Sequence, residues 1–168
     1  AAINEIEKVK NKIINDLLES DYDKIMKIHD YLVDTIEYDS TYQAIGSYGI
    51  YGALIGKTCV CEGYAKSLKY LANAAGIKCE IMQGTATNSS GKTESHAWNC
   101  VKINGIWYEI DPTWDDPIIV GSGYKTNVFK YKYFLKGSNT FEKDHILSNQ
   151  FSQNGKEFEY PIISKRDY

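Results

Sequence analysis

The chain has 168 residues, of which 43% are hydrophobic, 13% aromatic and 24% charged, with a formal net charge of -3. This supports one domain with a sizeable core and excludes disorder as the main state. The lysines form no basic stripe and no apolar run approaches the roughly 18 residues of a membrane span, so neither a nucleic-acid surface nor a transmembrane segment is indicated.

Residues 4–19 carry Ile6, Val9, Ile13 and Leu17 at helical spacing. The polar start reads as this helix and not as a signal peptide. Ser20 and Asp21 offer N-cap chemistry for a second helix, with Ile25, Ile28, Leu32 and Ile36 as its stripe. His29 lies on the margin of that packed face. Residues 38–57 are rich in Tyr, Gly and Ser and read as a long structured loop. Residues 61–75 form a helix on Tyr64, Leu68, Leu71 and Ala75, stopped at Gly76.

Residues 79–86 read as a strand and 87–94 as a polar loop. A hairpin follows, with strands 96–103 and 106–113 joined by Asn104-Gly105. Residues 118–127 read as a loop. The alternation of Phe129, Tyr131, Tyr133 and Leu135 with lysines predicts a strand over 129–136, and 157–163 is a final strand candidate. Helices followed by antiparallel strands give an α+β pattern. The single domain of 1–168 divides into N-terminal helices (1–40), a core carrying the motifs (51–117) and C-terminal strands (118–168).

The four cysteines, Cys59, Cys61, Cys79 and Cys100, are too few for a disulfide scaffold. Cys59-Val60-Cys61 is not a zinc-site spacing, and no second pair follows. No metal, nucleotide or other cofactor is expected.

The hairpin brings chemistry together. With Ile103 opposite Ile106, Cys100 faces Glu109, Trp98 faces Asp111 and His96 faces Thr113. His96, Trp98, Cys100, Glu109 and Asp111 then share one side, with His96 and Asp111 as diagonal neighbours. A carboxylate so placed fixes an imidazole tautomer and stabilises imidazolium. Cys61 sits where loop becomes helix, and the helix dipole favours thiolate there. The dipole supplies only about 0.3–1 kcal/mol, so strong activation needs His96 as well. The same residues also read blandly, as a small core cysteine, a packed histidine and a turn-forming Asp-Pro. Spacing alone leaves both readings open.

The stretch GALIGKTCVCEGYAKSLKYLANAAGIKCEIMQGTA, followed by SHAWNCVKINGIWYEIDPTWDDP, resembles the core of bacterial transglutaminase-like domains. That family places a cysteine before x-Gly-Tyr-Ala, then His-Ala-Trp-Asn, then Asp-Pro-Thr-Trp. Here these blocks hold Cys61, His96-Ala97-Trp98-Asn99 and Asp111-Pro112-Thr113-Trp114. Residues 133–146 resemble the tail of related domains. The first forty residues carry no such signature.

The resemblance implies a papain-like α+β fold, with the cysteine helix packed on an antiparallel sheet. It implies Cys61 as nucleophile, His96 as general base and acid, and Asp111 as the residue orienting His96. The expected activity is acyl transfer through a thioester, from a glutamine or peptide carbonyl to an amine or water. The alternatives are a cysteine peptidase or amidase, and a non-catalytic interaction module of a larger surface protein. A protein or peptide substrate and an extracellular or cell-surface location also follow from the resemblance.

The oxyanion should meet the Cys61 backbone N–H and a side chain from the preceding loop. Gln43, Tyr48 and Tyr51 are candidates, with Tyr51 preferred. Trp98 and Trp114 are expected at the substrate pocket. Cys59 is expected to be packed or a redox partner. Cys100, on the strand of His96, cannot easily replace Cys61. His145 is expected to be a surface or structural residue.

Overall fold

The computed structural model describes residues 1–17, 20–116, 130–148, 152–153, 156–157 and 159–168. Its first helix, α1, runs Ala2–Ile14, shorter than the periodicity predicts; Asn15 is its C-cap, and Asp16 and Leu17 lie beyond it. Asn and Asp compete with the backbone for hydrogen bonds, and this favours a stop. Helix α2 (Asp21–Thr35) is capped by Ser20, whose side chain accepts from the Asp23 N–H. Its stripe, Ile25, Ile28 and Leu32, is wholly buried.

The tyrosine- and glycine-rich segment is a structured loop, as its composition predicts, and it also carries short regular elements. Strand β1 (Glu37–Tyr38) pairs in parallel with β2 (Thr58–Cys59), and a π-helical turn spans Gly52–Gly56. Between them Asp39, buried, accepts from the Thr41 and Ala44 N–H groups and the Thr41 and Ser47 hydroxyls. One carboxylate thus ties down nine residues of loop, and these donors hold it far below the usual carboxylate range.

Helix α3 (Cys61–Ala74) buries Tyr64, Leu68 and Leu71 completely. Gly63 is forced by the close approach of β2. A Cβ there would lie 2.6 Å from Cys59 Cβ and 2.9 Å from the Ser47 carbonyl oxygen.

The main sheet has the order β5-β4-β3-β6, all antiparallel: β3 (Cys79–Thr87), β4 (Thr93–Ile103), β5 (Ile106–Ile110) and β6 (His145–Leu147). Asn104 and Gly105 have φ of 50° and 80°, the two positive values that a tight hairpin turn needs. The pairing Ile103–Ile106 and Cys100–Glu109 is the one the sequence predicts. It stops at Asn99–Ile110, so the expected pairs Trp98–Asp111 and His96–Thr113 do not form. Pro112 has no N–H to donate, and it sits at the start of α4 (Pro112–Asp115), with Asp111 as N-cap. Asp111 instead donates its N–H to the Tyr133 carbonyl at 2.9 Å.

Cys79, Val101, Ile103 and Ile110 join the helices in the larger core. A second cluster holds Met82, Trp98, Cys100, Tyr133 and Phe141, the last on α5 (Ser138–Phe141).

Two expected strands are replaced. Residues 130–134 form turns, and Lys136 makes a single bridge to Glu109. The lysine-tyrosine alternation misleads because Lys130 is itself buried, with its Nζ 2.9 Å from Asp34 Oδ2. Of 157–163, Glu157 belongs to the two-residue strand β8 (Lys156–Glu157), which pairs with β7 (Ser152–Gln153), and Ile163 bridges Trp107 alone. The expected loop 118–127 and Phe129 lie outside the described residues. No helix among the described residues is long and apolar enough to cross a membrane.

Candidate active site

Cys61 is the first residue of α3, and the extended Val60 before it sets the break between β2 and the helix. The first-turn N–H groups of a helix have no partner within it, so they face whatever anion lies at that end. Cys61 is partly exposed, whereas Cys59, Cys79 and Cys100 are buried; all four are free thiols. Burial first, and then the charge of Cys61, pushes the Cys59 thiol up to about 12. Burial and then Glu109 do the same to Cys100. Only Cys61 combines exposure with a histidine.

That histidine is His96, on β4. Its Nε2–H donates to Asp111 Oδ2 at 2.7 Å, and the ring lines the same cleft as Cys61, near enough for that side chain to act on its charge. Because Nε2 is committed to Asp111, Nδ1 is the ring nitrogen left for sulfur. Burial works against charge on this ring. The charge and hydrogen bond of Asp111, with Cys61 beside it, outweigh burial and raise its pKa to about 10. Asp111 is fully buried, which disfavours its anion, yet His96 and His145 hold it far below the usual range. The Trp114 N–H also donates to Oδ1 at 3.2 Å. The diagonal contact expected from the hairpin thus forms, although the strand ends one residue before Asp111.

A cleft of about 910 Å³ opens over Cys61 and His96. Trp114 lines it, as expected. Trp98 does not: it is 1% exposed, stacks behind His96 with ring centroids 5.9 Å apart, and donates its Nε1–H to Glu109 Oε1 at 3.0 Å. Its indole backs the imidazole and is not part of this cleft's wall. Tyr51 is also absent from the wall; it precedes the π-helical turn and is 38% exposed. The tyrosines that do line the cleft are Tyr38, Tyr42 and Tyr48. Tyr38 lies at the end of β1, in register with Cys59. Burial first, then the neighbouring Tyr42 and the charge of Cys61, raise its pKa far above that of a free tyrosine, so it keeps its proton.

His145 is not a surface residue. It is 2% exposed, and its Nε2 lies 2.7 Å from Asp111 Oδ2. The sequence signal for it was slight, a lone histidine in the 133–146 stretch. His96, Asp111 and His145 each bring one donor atom within 4.8 Å of the others, and the two 2.7 Å hydrogen bonds account for that proximity.

A partly exposed thiol at a helix start, an imidazole at the same cleft and a buried carboxylate behind it stand on an α+β frame, the residue types that cysteine-dependent acyl chemistry uses. The chain belongs to the transglutaminase-like superfamily, whose family model matches residues 9–112 and whose members typically carry out cysteine-dependent acyl transfer or proteolysis.

It is 28% identical over 158 residues to a mouse protein named kyphoscoliosis peptidase and 27% to the human one. The alignments cover 83% of this chain but only 23% of each relative, so the chain spans about a quarter of their length. Among solved structures, a TGase shares the fold with a TM-score of 0.54 at 18% identity, over 76% of this chain and 34% of that one. A Cytophaga hutchinsonii protein described as a candidate cysteine protease matches with a TM-score of 0.54 at 22% identity, over 66% and 37%.

Proposed function

We propose that the chain is a catalytic domain that transfers acyl groups through a thioester on Cys61. The observation that supports it best is the meeting of Cys61 and His96 at the cleft, with Asp111 hydrogen-bonded behind His96. The Cys61 thiolate attacks the carbonyl of a glutamine side chain or a peptide bond. The electron pair moves to oxygen, and the oxyanion meets the Cys61 N–H and the Tyr38 hydroxyl, which takes the place expected for Tyr51. As the C–N bond breaks, imidazolium His96 gives its proton to the leaving nitrogen. An amine or water then attacks the thioester; His96 takes a proton from it, and Cys61 leaves as thiolate. Asp111 holds the ring with Nδ1 toward sulfur throughout.

Water is present at about 55 M, so transfer requires a bound amine or a shielded thioester. Trp114 and the tyrosine wall offer shielding, and Glu62 and Glu94 at the cleft offer charge for an amine. Hydrolysis is the second reading, favoured by the relatives named as peptidases. An intact Cys-His-Asp line counts against a purely non-catalytic module. The substrate in this reading is a protein or peptide, and the extracellular or cell-surface location implied by the resemblance goes with it.

Product partition tests the choice. A glutamine-containing peptide is supplied with rising concentrations of a labelled primary amine, and products are read by mass spectrometry. Amine adduct should rise at the expense of acid product, and C61A should give neither. Acid product alone at every amine concentration would sink the transferase reading and leave a hydrolase.

A further inference from the structure

We propose that His145 is a positioning residue of this site, holding the Asp111 carboxylate in the one orientation that presents Oδ2 to His96. The proposal rests on the triad reading above and adds a fourth member to it.

The observation is a shared atom. His145 Nε2 lies 2.7 Å from Asp111 Oδ2, the same oxygen that His96 Nε2 meets at 2.7 Å. On the far side of the ring, Nδ1 lies 2.7 Å from Asp144 Oδ1. Asp144 Oδ2 in turn accepts the Tyr133 O–H at 2.5 Å. An ionised carboxylate only accepts, so in the contact with Asp111 it is His145 Nε2 that donates. A line of hydrogen bonds therefore runs inward from His96, which stands at the cleft with Cys61, through Asp111, His145 and Asp144 to Tyr133.

Asp111 needs such a partner. A wholly buried carboxylate loses its hydration, and each missing donor disfavours its charge. Its Oδ1 has the Trp114 N–H at a long 3.2 Å. Without His145, Oδ2 would be held by His96 alone, the group whose proton must come and go in each turnover. A donor that does not cycle keeps the carboxylate fixed while His96 changes state.

The sheet register puts it there. Ala86 pairs with His145 and Gly84 with His96, and residues two apart on a strand share a face. The other charged or titratable groups that face or act on His145 are Glu109 on β5, His96 on β4 and Tyr133 in the turn before α5.

The ring is also boxed by Trp98, Trp114 and Phe141, with centroids at 5.0, 4.7 and 4.6 Å. Filling that box is the competing role, and two variants separate it from positioning. H145F keeps the aromatic volume and loses the donor. H145Q keeps an N–H for Asp111 and loses the ring. The readout is the rate of iodoacetamide alkylation at Cys61 between pH 4 and 9, by peptide mapping of the full chain, with circular dichroism to confirm folding.

Positioning predicts that H145F falls by about ten-fold or more near pH 6, in the range of lost outer-shell partners. Its acid limb should move to higher pH, because Asp111 is then more easily protonated. H145Q should lie between H145F and wild type. D144N leaves the box untouched and should move the acid limb the same way by less. An unmoved limb in both H145F and D144N, or H145Q more impaired than H145F, would overturn the proposal. Should H145F not fold, an unmoved limb in D144N overturns it alone. Wild-type Cys61 alkylating no faster than Cys79 at pH 6 would overturn the triad reading itself, and the role of His145 with it.

Discussion

Two histidine–aspartate clusters hang on the same six residues, one at each end of α4, and they differ in what stands beside them. At one end Asp111 holds His96 and His145, and His96 opens onto the cleft and Cys61. At the other end Asp115 Oδ2 meets His29 Nε2 at 2.8 Å, with both side chains fully buried. Asp115 Oδ1 accepts the Tyr133 N–H at 2.8 Å, and His29 Nδ1 meets Asp30 at 3.0 Å. Burial pushes Asp115 up to about 6. Burial opposes charge on His29, but Asp115 and Asp30 outweigh it and raise the ring above its ordinary value. That pair is absent from the cleft wall, and its hydrogen-bond partners, Asp30 and the Tyr133 N–H, include no thiol. An imidazole on a carboxylate is therefore no catalyst by itself; access and a nucleophile make the difference. This second cluster joins α2 to the turn after β5, as Tyr64 O–H joins α3 to Asp116 at 2.6 Å.

Substitution should split the two clusters cleanly. D111N keeps the shape of the side chain but favours the wrong imidazole tautomer, so turnover should fall by about 10⁴-fold. Y38F, which removes one proposed oxyanion donor, should fall by about 100-fold in the same assay. Near-normal kcat in D111N would remove Asp111 from the triad. D115A should do the reverse. Removing one partner of a buried pair costs about 3–5 kcal/mol, read in urea unfolding, while the folded fraction should keep kcat within a few-fold. A D115A variant that is stable but inactive would make the two clusters one.

The smallest effect expected concerns pH. Glu109, buried and accepting from Trp98, is raised to about 7, chiefly by burial. The folded state then binds a proton more tightly than the unfolded chain. That stability is fully present below about 4.5 and is lost as pH rises through 7, a change of about 3 kcal/mol at most. E109Q removes this titration, so its stability should decline less over pH 5–8 than that of the wild type, in which Glu109 titrates as well as Asp115, His29 and His96. Parallel curves would mean that Glu109 is ionised throughout.

The hairpin and the cysteine helix were legible because each rests on local chemistry. Asn104-Gly105 sets the turn, the spacing of Tyr64, Leu68 and Leu71 sets the helix, and the three motif blocks mark Cys61, His96 and Asp111. What escaped depends on distant chain. Nothing local to His145 says that β6 will pair with β3 and bring it to Asp111. Lys130 reads as a solvent residue until Asp34 of α2 meets it. Trp98 shares the predicted face with His96, but the second hydrophobic cluster covers that face. Tyr51 and Tyr38 look alike in a tyrosine-rich loop, and only the pairing of β1 with β2 brings Tyr38 beside the nucleophile.

The central claim is a covalent bond to Cys61. An activated ester such as p-nitrophenyl acetate, mixed with the chain and quenched in acid, should leave an acetyl group on Cys61 by peptide mapping. It should be absent from Cys59, Cys79 and Cys100, and its formation should be strongly slowed in H96A. An acetyl group on another residue, or equal labelling in H96A and wild type, would contradict the account.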